Sequence, residues 1–302
     1  MMPRRLFALA MLILHGCATP IPTPTATTNA ELARIEAGTG GRLGVALMDG
    51  RGTVLLSHRA HERFAMCSTM KLPLAAMVID AVERGEIDGA LPLSITQANV
   101  TGHAPSVVAA LGAGRTEMTI GEAAEAAVVT SDNGAANLLL GLIGGPEGFT
   151  QAMRAWGDSV TRLDRIETAL NSNVPGDPRD TATPAATTGT VRAMFGPALL
   201  REATRQRLRE WTTATTTGAR RVRAGLSALW LAGDKTGTCA SEGQPNPEYN
   251  DIGWFRDAAG EDYYFTAYLD HPTVGYAEAE AALAQAGRVM ARAVWAVPNP
   301  QS

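Results

Sequence analysis

Ser68 and Lys71 have the residue types and the spacing of an activated nucleophile and its base. The apolar run after them predicts a helix from about residue 69 to 84, with Ser68 at its N-terminus and Lys71 on the same face. A serine hydroxyl is a weak nucleophile at neutral pH, and helix N-terminal N–H groups can stabilise an oxyanion. Alone, the pair also fits an ordinary N-terminal hydroxyl and a solvated lysine, so its meaning depends on the rest of the chain.

Two further polar motifs follow along the chain. The first comprises Ser131, Asp132 and Asn133, and the second comprises Lys235, Thr236, Gly237 and Thr238. The first lies between two predicted apolar helices, where these residue types are also common helix caps. The second continues a predicted strand. Neither motif alone specifies a reaction.

A polar loop rich in Pro and Gly spans residues 163 to 181. It has the length of an Ω loop and carries Glu167 and Asn171. Arg165 and Asp180, near its two ends, could pair and close it. The loop therefore offers a carboxylate and an amide to any site that it covers.

Strand-like segments occur near both ends of the chain, with helical segments between them. The predicted strands cover 42–48, 53–57, 229–239, 251–256 and 263–269, and a last helix covers 277–295. This order predicts an α/β (α+β) fold with an α/β lobe from about 29–66 and 213–298. An all-helical lobe, about 67–212, would be inserted between these two segments. A site would lie between the lobes.

Composition limits the function classes. The chain has 302 residues, 45% of them hydrophobic, and a net charge of −4 without a basic run. That is enough for a sizeable core in a domain spanning 29–300, and it argues against a nucleic-acid surface. Residues 1–17 have the charged and apolar regions of an export signal, and the Pro/Thr-rich residues 18–28 predict a tether.

The cysteines fit an exported protein. Leu14 to Cys17 resembles a bacterial lipobox, which predicts either lipidation of Cys17 and a membrane anchor, or ordinary cleavage with Cys17 removed or left free. The two arginines of the leader leave general and twin-arginine export open. Lipidation would leave Cys67 and Cys239 as a pair, either two buried free thiols or a disulfide, and an oxidising compartment favours the bond. The histidines lack zinc-site spacing, so we expect no metal.

Taken in order, the three motifs form the signature set of class A β-lactamases and penicillin-binding proteins. The chain resembles a class A serine β-lactamase from about Ala30 to Trp295. Glu167, Leu170 and Asn171, followed by Pro-Gly-Asp-x-Arg-Asp, match the class A Ω loop, which penicillin-binding proteins lack. The resemblance implies a cofactor-free periplasmic hydrolase of β-lactams, with an antiparallel sheet flanked by helices; a monomer is the default.

The resemblance also implies roles for the catalytic residues. Ser68 would attack the lactam carbonyl, and Lys71 and Glu167, the latter through a water, are rival bases for that step. Glu167 and Asn171 would hold the water that hydrolyses the acyl-enzyme. Ser131 would relay a proton to the leaving nitrogen.

The remaining implied roles concern substrate binding. Backbone N–H groups of Ser68 and Thr238 would form the oxyanion hole, and Asn133 would bind the substrate's amide. The carboxylate would be bound by residues of the third motif, Lys235, Thr236, Gly237 and Thr238, with Arg221 nearby. His103 falls either on an aromatic wall of the pocket or on an ordinary loop.

Cys67 and Cys239 resemble the disulfide of class A carbapenemases. With Thr238 and Arg221, they motivate the hypothesis that carbapenems are turned over as well as penicillins and cephalosporins. Two positions of the loop bear on the comparison with the family. Ile166 replaces a common tryptophan, and the bond from Glu167 to Thr168 is often cis in the family.

Two other functions fit parts of the pattern. One is a penicillin-binding peptidase acting on peptidoglycan, which Glu167 and Asn171 disfavour because such an enzyme must avoid hydrolysis. The other is a non-catalytic β-lactam-sensing lipoprotein, which the complete catalytic set disfavours.

Overall fold

The computed structural model describes residues 26–240 and 246–295. The export signal, Cys17, most of the tether and residues 296–300 lie outside these ranges. Among the described residues, no helix combines the length and apolarity that crossing a membrane requires.

The largest element is a five-stranded antiparallel sheet in the order β2-β1-β9-β8-β7. The strands are β1 (Arg42–Asp49), β2 (Val54–His58), β7 (Leu231–Cys239), β8 (Glu248–Arg256) and β9 (Asp262–Asp270). Short strands form two further pairs, β3 (Phe64–Ala65) with β6 (Thr181–Ala182) and β4 (Leu93–Ser94) with β5 (Glu117–Met118). Because β1 pairs with β9 along its whole length, the two ends of the chain share one sheet, as the sequence predicted.

Helices pack on both faces of the sheet. They are α1 (Ala26–Thr39), α2 (Lys71–Glu83), α3 (Pro105–Gly112), α4 (Ile120–Glu125), α5 (Asn133–Leu142), α6 (Gly145–Ala155), α7 (Pro184–Phe195), α8 (Glu202–Ala214) and α9 (Tyr276–Trp295). One core lies between the sheet and the helices α1 and α9. A second core joins the other face to the remaining helices. The predicted fold class is confirmed.

Helix α2 lies at the centre of the second core. Every residue from Lys71 to Ala81 is buried, so the apolar run that predicted the helix reflects packing on all sides. The helix begins slightly later than predicted, because Cys67–Met70 forms a 3₁₀ turn before it. Ser68 lies in this turn. Pro73 is in the first turn of the helix, where no N–H is needed.

Capping explains two other boundaries. Thr119 and Glu122, three residues apart, have the types and spacing of a capping box, and at the start of α4 each bonds the other's backbone N–H. Helix α7 begins at Pro184. Thr183 caps it by accepting a hydrogen bond from the N–H of Ala186.

Candidate active site

Lys71 connects Ser68 to the other catalytic candidates. Its Nζ lies 3.0 Å from Ser68 Oγ, 2.5 Å from Asn133 Oδ1 and 2.9 Å from the carbonyl oxygen of Ser131. Glu167 Oε1 is also 2.9 Å from this nitrogen. The lysine and the glutamate are both buried, so their attraction is only weakly screened by solvent.

Burial lowers the pKa of Lys71, and the charge and hydrogen bond of Glu167, together with the charge of Asp132, oppose the shift. A lysine with a lowered pKa loses its proton more easily near neutral pH. The pKa of Lys235 is lowered further by its complete burial and by the nearby positive charge of Lys71.

Lys235 approaches the same centre from strand β7. Its Nζ donates to Ser131 Oγ at 2.9 Å and to the carbonyl oxygen of Thr236 at 2.8 Å. The hydroxyl of Ser131 thus contacts Lys235, whereas Lys71 contacts the carbonyl of the same residue. Ser131 has a φ of 59°, a left-handed conformation that is uncommon for serine.

Asp132 holds the middle motif in place. One carboxylate oxygen caps α5 by accepting from the N–H of Ala135 at 2.9 Å. The other accepts from the N–H groups of Ser106 and Val107 at the start of α3. The capping interpretation is therefore correct for Asp132, while its neighbours Ser131 and Asn133 face Lys71.

The start of the 3₁₀ turn that carries Ser68 packs against β7. A Cβ on Gly237 would lie 2.8 Å from the carbonyl oxygen of Met66, so this close approach requires glycine. Cys67 and Cys239 form a disulfide. Asn250 on β8 adds hydrogen bonds to the carbonyl oxygens of Ala65 and Met66.

Arg221 is buried behind the third motif. Its Nη1 donates to the carbonyl oxygens of Gly237 and Asn250, at 2.9 and 2.8 Å. Its Nη2 donates to Thr238 Oγ1 at 2.6 Å. The guanidinium therefore positions the hydroxyl of Thr238 and brings positive charge to the cavity wall.

The Ω loop (residues 164–180) is closed at its base by the predicted pair. Arg165 Nε donates to Asp180 Oδ2 at 2.5 Å. Asp180 Oδ1 also accepts from the N–H groups of Asp164 and Arg165. Asp180 is 1% exposed, so these bonds satisfy a buried carboxylate.

Glu167 enters the site from the first half of this loop. Its Oε2 accepts a hydrogen bond from Asn171 Nδ2 at 2.7 Å. Asn137, on α5, bonds the N–H and the carbonyl oxygen of Glu167, both at 2.9 Å. The bond from Glu167 to Thr168 is cis, as the resemblance implies.

Part of this set borders one cavity of about 370 Å³, whereas the buried residues Lys71, Glu167 and Lys235 are not in its lining. Among the predicted site residues, its lining includes Ser68, His103, Ser131, Asn133, Asn171, Arg221, Thr236 and Thr238. His103 is exposed, and its ring Nε2 lies 2.9 Å from the carbonyl oxygen of Thr130. Arg220 and Tyr276, which were not predicted, form part of the rim.

One group in the described ranges has metal-type donors, namely Glu248, Asp270 and His271. It lies at the ends of β8 and β9. The amide nitrogen of Asn173 donates to Glu248 Oε1 and Asp270 Oδ1, so hydrogen bonding already engages both carboxylates. The arrangement needs no metal to explain it.

Two residues that position the predicted site residues, Asn137 and Thr217, were not predicted from the sequence. Asn137 stands alone as a polar side chain in the run from Ala135 to Leu142, and that isolation is the signal that could have identified it. Thr217 accepts a hydrogen bond from Thr236 Oγ1 at 2.7 Å, and no local pattern marks it.

A profile of the "Beta-lactamase enzyme family" matches residues 27–294. The chain is 40% identical over 281 residues to β-lactamase L2 of Stenotrophomonas maltophilia, covering 92% of this chain and 89% of that protein. It is 41% identical over 243 residues to the carbapenem-hydrolysing β-lactamase KPC of Klebsiella oxytoca, covering 78% and 81%.

Similarity extends to solved structures. A crystal structure of a β-lactamase from Xanthomonas campestris pv. campestris superposes with a TM-score of 0.82 at 39% identity. The match covers 89% of this chain and 97% of that one.

Proposed function

Since the chain belongs to the class A β-lactamase family, we propose that it hydrolyses β-lactam antibiotics through a serine acyl-enzyme. The reaction has two chemical steps. Ser68 Oγ first bonds to the lactam carbonyl carbon as the ring C–N bond breaks. Water then attacks the resulting ester, releasing the opened product and restoring the serine.

In the first step, Ser68 gives its proton to a base as it attacks. Lys71 is supported as that base by its contact with Ser68 Oγ and its lowered pKa. Glu167, which lies against Lys71, remains the rival through a water. Ser131, whose hydroxyl contacts Lys235, would pass a proton to the leaving nitrogen.

The observation that carries the proposal is the pairing of Glu167 with Asn171 beside the nucleophile. The carboxylate lies 2.9 Å from Lys71 Nζ and accepts from Asn171 Nδ2 at 2.7 Å. A carboxylate and an amide held together can orient a water and accept its proton. This is the chemistry that deacylation needs and that a peptidase or a pure sensor would lack.

The residues of the cavity wall would bind the substrate. Backbone N–H groups of Ser68 and Thr238 would bind the oxyanion, a contact worth about 3 kcal/mol per donor. The side chains of Thr236 and Thr238 would bind the substrate carboxylate, supported by the charges of Lys235 and Arg221. Asn133 would bind the substrate amide, and His103 would border the cavity near the substrate.

We also propose that carbapenems are among the substrates. The disulfide between Cys67 and Cys239, the hydroxyl of Thr238 with Arg221 behind it, and the likeness to a carbapenem-hydrolysing relative support this extension. The two-lobe division, export to the periplasm and a monomeric state complete the proposal as sequence-based inferences. At Cys17, lipidation and ordinary cleavage stay the two alternatives.

The test measures ring-opening absorbance with benzylpenicillin and imipenem in excess over enzyme. The wild type should turn over many equivalents of each. Glu167→Ala should still acylate but hydrolyse about 10²- to 10⁴-fold more slowly, which is the contribution of a general base. Mass spectrometry of this variant should show an adduct with the mass of intact penicillin.

Glu261→Ala, in the exposed turn between β8 and β9, is the matched control and should behave as wild type. A single stoichiometric burst from the wild type would contradict the hydrolase and favour a penicillin-binding protein or a sensor. Turnover of benzylpenicillin without imipenem would remove only the carbapenem extension.

A further inference from the structure

The two halves of the Ω loop are attached to the protein differently. The first half, residues 164–171, has Glu167 bonded to Asn137, and Leu170 is 1% exposed. The second half, residues 172–179, borders an open cleft of about 520 Å³. Within this second half, Asn173 is the one buried residue.

Asn173 places its amide between two buried carboxylates. Its Nδ2 lies 2.5 Å from Asp270 Oδ1 and 3.2 Å from Glu248 Oε1. The carboxylates are 4% and 1% exposed. Buried carboxylates need hydrogen-bond donors, and one amide group supplies a hydrogen to each.

Other polar groups complete this cluster. Arg42 pairs with Asp270 Oδ2, and His271 Nδ1 lies 3.1 Å from Glu248 Oε1. Burial raises the pKa of Glu248, and the hydrogen bond from Asn173 opposes this rise. The amide thus contributes to keeping Glu248 in the form that accepts its hydrogen bond.

Glu248 links this cluster to the substrate-binding strand. It lies opposite Cys239 in the pairing of β7 with β8, next to Thr238. The disulfide of Cys239 leads to Cys67, which precedes Ser68. Asn173 therefore joins the loop that carries Glu167 and Asn171 to the strands that frame the nucleophile.

We propose that Asn173 is a positioning residue for deacylation, holding the Ω loop at the distance from β7 and β8 that the hydrolytic water requires. This inference rests on the proposed function. With Lys71 as the base, acylation depends on Ser68 and Lys71, which are held by α2 and its preceding turn. Deacylation depends also on Glu167 and Asn171, so loss of the Asn173 bonds should slow that step selectively.

The test is Asn173→Asp, which removes both donors and places a third carboxylate against two others. A displacement of about 1 Å at a reacting centre can cost about 100-fold in rate, so we expect kcat for benzylpenicillin to fall by that order. KM should fall in parallel and kcat/KM should stay within about twofold, because kcat/KM reports acylation. Acyl-enzyme should accumulate in mass spectra.

A compensating variant tests whether the fall in kcat comes from the lost hydrogen bond or from any substitution at position 173. In Asn173→Asp with Glu248→Gln, the donor and acceptor of the Glu248 contact exchange places and the total charge is unchanged, while the contact to Asp270 stays lost. We therefore expect kcat to recover in part, by about threefold or more relative to the single variant. Val174→Ala, the exposed neighbour in the same half-loop, should match the wild type.

Partial unfolding gives a different signature. It lowers kcat and kcat/KM equally at constant KM, because both scale with the amount of active enzyme. That pattern, an unchanged kcat, or failure of the double variant to recover would overturn the positioning role. Asn173→Ala, which adds no charge, should give the same kcat and KM pattern if Asn173→Asp does not fold. Absence of turnover by the wild type would instead refute the proposed function.

Discussion

Ser68 and Glu167 both contact Lys71 Nζ, but they are held by opposite kinds of structure. Lys71 stands at the start of α2, a regular helix buried along Lys71 to Ala81. Glu167 lies in an Ω loop whose one regular piece among residues 164–180 is the 3₁₀ turn Ala169–Asn171. The position of the loop depends on side-chain hydrogen bonds that join Glu167 to Asn137, Arg165 to Asp180, and Asn173 to Asp270.

Because of this difference, acylation and deacylation should respond differently to substitutions. The position of α2 depends on apolar burial spread over many side chains, at about 25 cal/mol per Å². The loop depends on a few buried polar contacts, and loss of one partner leaves a group unsatisfied at about 1–3 kcal/mol. Acylation should therefore tolerate many substitutions that stop deacylation.

The largest expected effect lies on the helix side. Ser68→Ala should reduce turnover by at least about 10⁴-fold, as for other serine nucleophiles, and should form no acyl adduct. The free energy of unfolding should change little, since the backbone of the turn is unaltered. Rate and mass measurements, with Ser57→Ala on β2 as control, check this; turnover by Ser68→Ala would place the nucleophile elsewhere.

An intermediate effect is expected at the base of the loop. Arg165→Ala leaves the buried carboxylate of Asp180 without its partner, and breaking such a pair costs about 3–5 kcal/mol. Residues 164–180 should then exchange amide hydrogens faster, and kcat should fall by about 10- to 100-fold with kcat/KM less affected.

Arg179→Ala is the matched control for this prediction. Arg179 pairs with Asp177 in the same loop, but its side chain is 52% exposed, and solvent screens such exposed pairs so that they contribute little to stability. Hydrogen exchange and kcat should therefore stay near wild type. Equal effects from the two arginine variants would show that burial does not distinguish these pairs.

The smallest expected effect is a shift in pH dependence. If Lys71 is the acylation base, the acylation rate should rise with pH as Lys71 loses its proton. Glu167 raises the pKa of Lys71 against the effect of burial, so Glu167→Gln should lower that pKa. Asp132 and Lys235 face the same lysine and are unchanged.

The acylation rate of Glu167→Gln should therefore reach half its maximum at a lower pH than in wild type, measured by rapid mixing with benzylpenicillin. A shift to higher pH would contradict this account of Lys71. Loss of acylation at every pH would instead identify Glu167 as the base.

The sequence by itself determined the parts that depend on neighbours along the chain. The capping box at Thr119, the central apolar helix and the order of strands and helices follow from local patterns, and the structure has them. The three motifs and the Glu167 segment identified the family. The structure brings these motifs to one cavity, while the role of each residue stays a prediction.

Tertiary structure alone decided which distant groups meet. The amide of Asn173 bonds carboxylates 75 and 97 positions away, and Asn137 bonds a peptide 30 positions away. It also decided that Ser68 lies in a 3₁₀ turn, where the residues before it pack against Gly237. Local patterns record spacings of two to four residues. Contacts across such separations arise only when packed layers bring the segments together.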